Sequence, residues 1–417
     1  MPSCACELCG PLATFASRNK LFKHLQTVHG VQSKHAAETE RVALVFAYLG
    51  DGFHGSWLDG SGATSTVEGV LLKALNAENP RGLTRCARTD RGVHALHNVL
   101  TIQLPPLLHG TMDETEWLVQ INAALPASVS LLRRVTVAPD FDARRLSDRR
   151  RYEYLFPYTA LTTDPSEAAL SVRRRLKRLL KQFVGAHDFA RFTKSGEAFL
   201  AANDTWRVCF RIHAVDSIGG SGAGEESEKA ADAGFVRVSI SGRSFLQLQI
   251  RKMCGAIIGV MRGGLPATYI HDALRHPRDS PDGVQPCGYD LGTAPCAPAF
   301  PLYLAAVSFT PYARRQCAGK GVEVDSSVDD QSPTMMQDPA EATGEAEAAF
   351  ERRVHAHLVE TERRTRAFVA WVAEQDRSQV WLASLLTSHG GSSETRVEVG
   401  PALPFLETPR CELGQKR

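Results

Sequence analysis

The most chemically suggestive stretch of the chain sets one carboxylate between arginines on a glycine-containing turn, Cys86-Ala87-Arg88-Thr89-Asp90-Arg91-Gly92-Val93-His94-Ala95. Neighbouring positive charge favours the ionised form of Asp90. An ionised, partly desolvated carboxylate can attack carbon and form a covalent intermediate, which makes Asp90 a candidate nucleophile. Asp and Gly are also ordinary turn residues, so this segment alone reads equally well as a turn that closes a strand. Three further segments bear on the choice. In Arg149-Arg150-Arg151-Tyr152-Glu153-Tyr154, strand alternation puts Tyr152 and Tyr154 on one face, where one of them can reach a cleft. Phe245 to Met253 reads as a strand passing into a helix, with Arg251 and Lys252 among apolar residues where a cation is costly unless paired. Arg251 is the expected partner of Asp90. The third, Gly185-Ala186-His187-Asp188-Phe189 followed by Phe192-Thr193-Lys194, is an aromatic and basic loop suited to stacking on bases and holding phosphates.

These residues need a scaffold, and hydrophobic periodicity supplies one. Ala43 to Tyr48 reads as a strand entering the turn-rich Gly50-Asp51-Gly52-Phe53-His54-Gly55. A helix follows, capped by Thr66, with Val67, Val70, Leu71 and Leu75 on its apolar face and Glu68 near its positive end. Val99 to Leu104 is a second strand, so Asp90 lies in a loop at the end of a sheet, a usual location for function on a rigid frame. A helix ending at Ile121 to Pro126 precedes a strand from Val129 to Val137. The second half repeats the mixture: strands at Tyr152 to Phe156, Arg207 to Ala214 and Phe235 to Ile240, a basic helix at Val172 to Phe183, and a long apolar helix at Gln249 to Met261. Residues 217–234, rich in Gly, Ser, Ala and Glu, read as a solvated insertion between two strands.

At 417 residues the chain is too long for one ordinary core. Its 48 Lys+Arg and 46 Asp+Glu nearly cancel, but the signs are segregated: residues 133–194 are basic and 323–347 acidic. A basic half suits an RNA partner, and Arg144, Arg145, Arg149, Arg150 and the cations at 173–181 offer a positive surface for phosphates. For the run at 173–181, a solvated helix face is the plainer interpretation. Ten cysteines without dense regular spacing point to a reducing compartment, nucleus or cytoplasm, and no stretch suggests a membrane partner. Near the N-terminus, Cys6, Cys9, His24 and His29, with Phe15 and Leu21, resemble a C2H2 zinc finger in which Zn2+ would be structural. Fourteen residues separate Cys9 from His24 where twelve are usual. His94, His97 and His187 read as loop hydrogen-bonding residues rather than metal ligands.

Taken in order, Arg88-Thr89-Asp90-Arg91-Gly92-Val93-His94-Ala95, Arg150-Arg151-Tyr152-Glu153-Tyr154, Gln249-Ile250-Arg251-Lys252-Met253 and Ala297-Pro298-Ala299-Phe300-Pro301-Leu302-Tyr303-Leu304 resemble the TruA-type family of tRNA pseudouridine synthases. The resemblance runs from Ala43 to about Leu304. It implies Asp90 as nucleophile, Tyr152 as the active-site tyrosine, Arg251 as the basic partner of the aspartate and Arg88 as the guide of the target base. Arg91, His94, Arg144, Arg150, His187 and Lys252 complete the expected substrate-contacting and RNA-binding set. Details such as Tyr152-Glu153-Tyr154-Leu155 and the C-terminal Thr361-Glu362-Arg363-Arg364 are similar to the eukaryotic multisite branch, the nuclear pseudouridine synthase one-like enzymes. Pro301 stands where glycine is usual, and Ser56-Trp57-Leu58 lacks a common glutamine. The implied partner is tRNA, with other structured RNA open, in a monomer rather than the dimer of bacterial members, and with no cofactor for the chemistry itself. The competing interpretation is a non-catalytic nucleic-acid-binding protein whose zinc finger acts and whose large domain is a degenerate scaffold.

The expected architecture is therefore α+β: two facing mixed domains with antiparallel sheets and a cleft between them, plus a small N-terminal zinc finger and a C-terminal helix. The boundaries are residues 1–30 for the finger, 31–40 for a linker, 41–140 for the half carrying the Asp loop, 141–311 for the second half, 312–346 for an acidic disordered linker, 347–388 for the C-terminal helix and 389–417 for a tail.

Overall fold

A computed structural model describes residues 4–5, 14–15, 24, 28, 39–58, 65–77, 80–107, 113–194, 204–218, 234–275, 293–319 and 344–377. Two short strands, β1 (Cys4–Ala5) and β2 (Thr14–Phe15), pair antiparallel. Of the four expected zinc ligands only His24 falls within the described residues; Cys6, Cys9 and His29 lie outside them. The remaining strands are β3 (Glu40–Tyr48), β4 (Thr84–Arg85), β5 (His94–Leu104), β6 (Val129–Thr136), β7 (Arg149–Pro157), β8 (Gly185–Asp188), β9 (Trp206–Ile218), β10 (Phe235–Gly242) and β11 (Leu302–Ser308). They form one sheet in the order β6-β3-β5-β11-β7-β10-β9-β8, with β4 paired to β5.

The continuity of this sheet corrects the expectation of two separate sheets. The join is a two-residue parallel pairing of β11 with β5, Tyr303 opposite His94 and Leu304 opposite Ala95, while β11 runs antiparallel to β7 on its other side. All other pairings are antiparallel. Because β5 and β7 flank the same strand, the loop before β5 and the side chains of β7 are brought together. That is what places Asp90 beside Tyr152.

The helices are α1 (Val67–Ala74), α2 (Glu114–Ala124), α3 (Ala143–Leu146), α4 (Tyr158–Leu161), α5 (Ala169–Lys181), α6 (Gln249–Met261), α7 (Tyr269–Ala273), α8 (Thr310–Gly319), α9 (Gly344–Thr365) and α10 (Ala367–Arg377). Thr66 caps α1 as its position suggests, its hydroxyl accepting the Gly69 N–H at 3.1 Å. Helix α6, with eleven of its thirteen residues buried, is the central helix of the main core. Helix α5 buries Val172, Leu176 and Leu180 and leaves Arg174, Lys177, Arg178 and Lys181 exposed, as an amphipathic surface helix should. Helix α8 runs over residues 312–319, where the acidic linker was expected to begin, and residues 320–343 of that linker lie outside the described residues.

The expected single C-terminal helix is two helices. Arg366 takes a left-handed backbone, φ 48°, between α9 and α10, and the Glu362 carboxylate accepts the Phe368 N–H at 2.9 Å. Helix α9 lays Phe350, Val354 and Leu358 on Ala47, Leu49, Leu96, Leu155 and Tyr303, covering the middle of one sheet face. Helix α10 turns back so that Phe368 and Val372 join the main core on the other side.

Candidate active site

Asp90 is half-buried at the first corner of a tight turn. The Val93 N–H donates to the Asp90 carbonyl at 3.1 Å, and Gly92, at φ 78°, supplies the left-handed conformation the third position needs. The strand then begins at His94, five residues earlier than the apolar pattern suggested, so the aspartate sits directly at the mouth of β5.

The backbone before Asp90 is fixed on several sides. The Thr89 N–H donates to Ser56 Oγ at 2.8 Å, and the Thr89 hydroxyl shares a 2.8 Å hydrogen bond with Tyr48. Asn98 donates to both the Tyr48 oxygen and the Ala87 carbonyl. Arg150 donates from Nη2 to the Cys86 carbonyl at 2.9 Å and from Nη1 to the Arg243 carbonyl at 2.5 Å. Arg150, expected to contact substrate, is thus buried and lines the wall as a brace between the Asp90 loop and the loop after β10. Such a backbone cannot drift far, which keeps the carboxylate in place.

The carboxylate opens on a cleft of about 730 Å³ lined by Arg88, Asp90, Tyr152, Phe245, Gln247 and Arg251 among others. That volume is in the range of small-molecule sites and suits one extruded nucleoside. Tyr152 is buried and its ring meets Phe245 edge-on, centroids 5.4 Å apart. Among the described residues its hydroxyl has no hydrogen-bond partner, and it opens on the cleft rather than being sealed in the core. Burial, opposed by Arg150, pushes the Tyr152 hydroxyl far above its ordinary range, so it stays protonated.

The electrostatics of Asp90 differ from expectation. Burial raises its pKa above the ordinary aspartate value, against the lowering effects of the Arg251 charge and of the Gln247 side chain. Arg251 acts across space: its Nε donates to the Ala297 carbonyl at 2.8 Å, and no ion pair within 4.0 Å joins it to Asp90. The expected charge-assisted pair is therefore a longer-range stabilisation. The segment before Arg251 is also no strand: residues 243–248 form a bend and turn, with Leu248 left-handed at φ 66°, that sends Phe245 and Gln247 into the cleft.

Arg88 is exposed at the cleft, its guanidinium 5.7 Å above the Trp57 ring, and Arg144 is exposed on the same wall. Other expected contacts lie elsewhere. His94 is fully buried, its Nδ1 accepting the Gly50 N–H at 3.0 Å and its Nε2 donating to the Phe300 carbonyl at 2.8 Å; burial brings its pKa down to about 4. It is an internal brace, not an RNA contact. Lys252 is also buried, its pKa lowered by that burial, and faces away from the cleft lining. Arg91 is exposed on the turn but not part of the lining, and His187 is held on β8 by the Val184 carbonyl at 3.1 Å. The residues missed by sequence reasoning are Phe245 and Gln247; the signal was a glutamine alternating with Phe and Leu in an otherwise apolar run.

Residues 179–310 match the family model described as "tRNA pseudouridine synthase". The "Pseudouridylate synthase 1 homolog" of Mus musculus is 25% identical over 352 residues, spanning 80% of this chain and 73% of its own length. The "tRNA pseudouridine synthase A" of Methanosarcina mazei is 29% identical over 277 residues, 64% of this chain and 84% of its own. The same-named protein of Neisseria gonorrhoeae is 27% identical over 274 residues, 61% of this chain and 93% of its own. Over most of its length the chain is similar to tRNA pseudouridine synthases. The family model begins in α5 and ends in α8, so within this pseudouridine synthase it spans Gln247, Arg251 and β11 but neither Asp90 nor Tyr152.

Proposed function

We propose that the chain isomerises uridines in tRNA to pseudouridine and that Asp90 is the group that acts on the nucleoside. The observation that carries this reading is a half-buried carboxylate, raised in pKa, sharing a nucleoside-sized cleft with a buried tyrosine whose hydroxyl has no partner. In the isomerisation the bond from uracil N1 to the sugar carbon breaks, the held base turns, a bond from C5 to that carbon forms, and the C5 proton leaves while N1 gains one. Nothing is oxidised and no water is consumed, so the reaction as written calls for neither a redox group nor a metal.

Asp90 supplies the carboxylate, either by attack on the sugar or base or by deprotonating the ribose, and its desolvation makes it more basic and more nucleophilic than an aspartate in water. Arg251 and Gln247 keep the charged form accessible. Tyr152 stacks on the base, and its hydroxyl, held protonated, can take the C5 proton only while passing its own on. Extruding the uridine costs a few kcal/mol of unstacking, offset by stacking in the cleft and by phosphate contacts, and Arg88 on its Trp57 platform is placed to fill the vacated gap. On the same reading the protein is a monomer of the eukaryotic multisite branch acting in the nucleus or cytoplasm, and Cys6, Cys9, His24 and His29 hold a structural zinc. Metal content after Cys9→Ser tests that ligation.

The central test is Asp90→Asn. Pseudouridine formation in purified tRNA should fall by about 10³-fold or more, since the acting group is lost, with tRNA affinity kept. Undiminished turnover in the amide variant would end the proposal.

A further inference from the structure

The face of the sheet turned away from Asp90 carries a second aromatic and cationic surface. Tyr152, Ile240 and Ile212 are cross-strand neighbours and share the cleft side. A bulge opposite Ser241 and Gly242 makes Phe210 an extra residue and leaves Cys209 facing Gly242, so Cys209 and Arg207 stay on the cleft side while Trp206 and Val208 point outward. Arg149, on the outward side of β7, sits 5.6 Å over the Phe210 ring. Trp206, Val208 and Phe210 are 48%, 42% and 44% exposed, on a strand otherwise well packed. Helix α9 covers the neighbouring part of this face but not this strip.

Two kinds of occupant would use such a strip, an apolar protein surface and a row of nucleobases, and the charge decides between them. Arg149, Arg151, Arg211 and Arg237 all lie on this face, against Glu153, which is engaged by Arg151 and Arg237, and Glu351 on α9. Asp204 at the end of the strip accepts the Trp206 N–H. His213, on the same face, is depressed first by burial and then by Arg211, with Arg151 and Arg237 adding and Glu153 opposing. Among the described residues the cations stand at the Phe210 end of the strip, Arg149 over its ring and Arg211 beside it, and the carboxylates of Asp204 and Asp188 at the Trp206 end. Aromatic rings alternating with guanidiniums form the platform on which unpaired bases stack while phosphates are neutralised.

We propose that the outward strip of Trp206, Val208 and Phe210, with Arg149 and Arg211, binds unpaired nucleotides of the RNA substrate at a second contact outside the catalytic cleft. The surface gives grip on the RNA without touching the reacting uridine, and it rests on the reading of the chain as a tRNA-acting enzyme.

The test pairs Trp206→Ala/Phe210→Ala with Arg211→Gln in the full chain. The aromatic double variant should lose about tenfold or more in affinity for a tRNA transcript, with kcat at saturating tRNA within about twofold of the parent. Trp206→Phe, which keeps a ring, should retain affinity. Arg211→Gln should reduce the slope of log affinity against log salt by about one. Unchanged tRNA affinity in the double variant overturns the proposal. So does a loss confined to self-association in sedimentation, which would assign the strip to a second copy of the chain. If the parent bound tRNA through this strip yet formed no pseudouridine in any tRNA, the catalytic reading would fall and the contact would stand; intact turnover with unaltered binding would mean the reverse.

Discussion

Tyr152 and Glu153 are adjacent on β7, both are buried, and they face opposite worlds. On the outer side Glu153 is saturated: it accepts from Tyr303 at 2.5 Å, pairs with Arg237 at 3.1 Å and Arg151 at 3.2 Å, and Tyr303 bonds His355 of α9 at 2.7 Å. On the cleft side Tyr152 has no such partner, and Asp90 faces a distant guanidinium. The same strand thus builds a closed polar network on one face and leaves an open one on the other. A closed network rigidifies; an open one waits for a ligand to complete it. The difference separates the residues that hold this enzyme together from those proposed to do its chemistry.

The contrast can be broken most forcefully at Glu153. Glu153→Gln should leave Arg237 with only the more exposed Glu351 and Arg151 with no carboxylate from β7, and cost about 3 kcal/mol of stability by denaturant unfolding, the low end for a broken buried pair, while the folded fraction keeps its turnover. A loss of kcat without loss of stability would show that the outer network takes part in the reaction.

His94 offers the next largest effect, through pH. Its folded pKa of about 4 lies below the ordinary 6.5, so between those values the unfolded chain binds the extra proton and stability rises with pH. Its contribution is fully present above about 6.5 and is lost as pH falls towards 4, on the order of 3 kcal/mol across the window. His94→Gln should flatten the stability–pH slope there, whatever its effect at neutral pH. An identical slope in the variant would remove His94 as a buried neutral brace.

Tyr152→Phe sharpens the cleft side of the comparison. With no hydrogen bond to lose, stability should change by less than about 0.5 kcal/mol, whereas turnover should drop by about 10²-fold if the hydroxyl handles a proton. Retained turnover in Phe with loss in Leu would assign the ring to stacking alone. The smallest expected effect is at Arg251. Its charge lowers the pKa of Asp90, so Arg251→Gln should move the acidic limb of the pH–rate profile upward. A limb that stayed in place or moved down would show that the limb is not the ionisation of Asp90.

Local chemistry was legible in the sequence wherever neighbours along the chain decide it. Thr66 at a cap, the apolar run from Gln249 to Met261 and the Asp-x-Gly turn at Asp90 are set by contacts within a few residues. The parallel join of β11 to β5 was not, because Leu302 to Ser308 is too short a run to announce a partner two hundred residues away. Arg150, Arg251 and His94 show the same limit in the site. The charge of Arg150 and the ring of His94 suggested substrate contact and the charge of Arg251 an ion pair with Asp90, but their partners are carbonyls or amides at Cys86, Ala297, Phe300 and Gly50 that only the folded backbone brings near.

The place of β11 carries one last consequence, for biosynthesis. Its seat lies in the middle of the sheet, yet it is the final strand to emerge from the ribosome among those described. Until residue 302 is released, β5 and β7 each present a bare apolar border, an invitation to pair with the wrong chain. Chaperone dependence during translation, and aggregation of truncated products ending before β11, follow from where that keystone arrives.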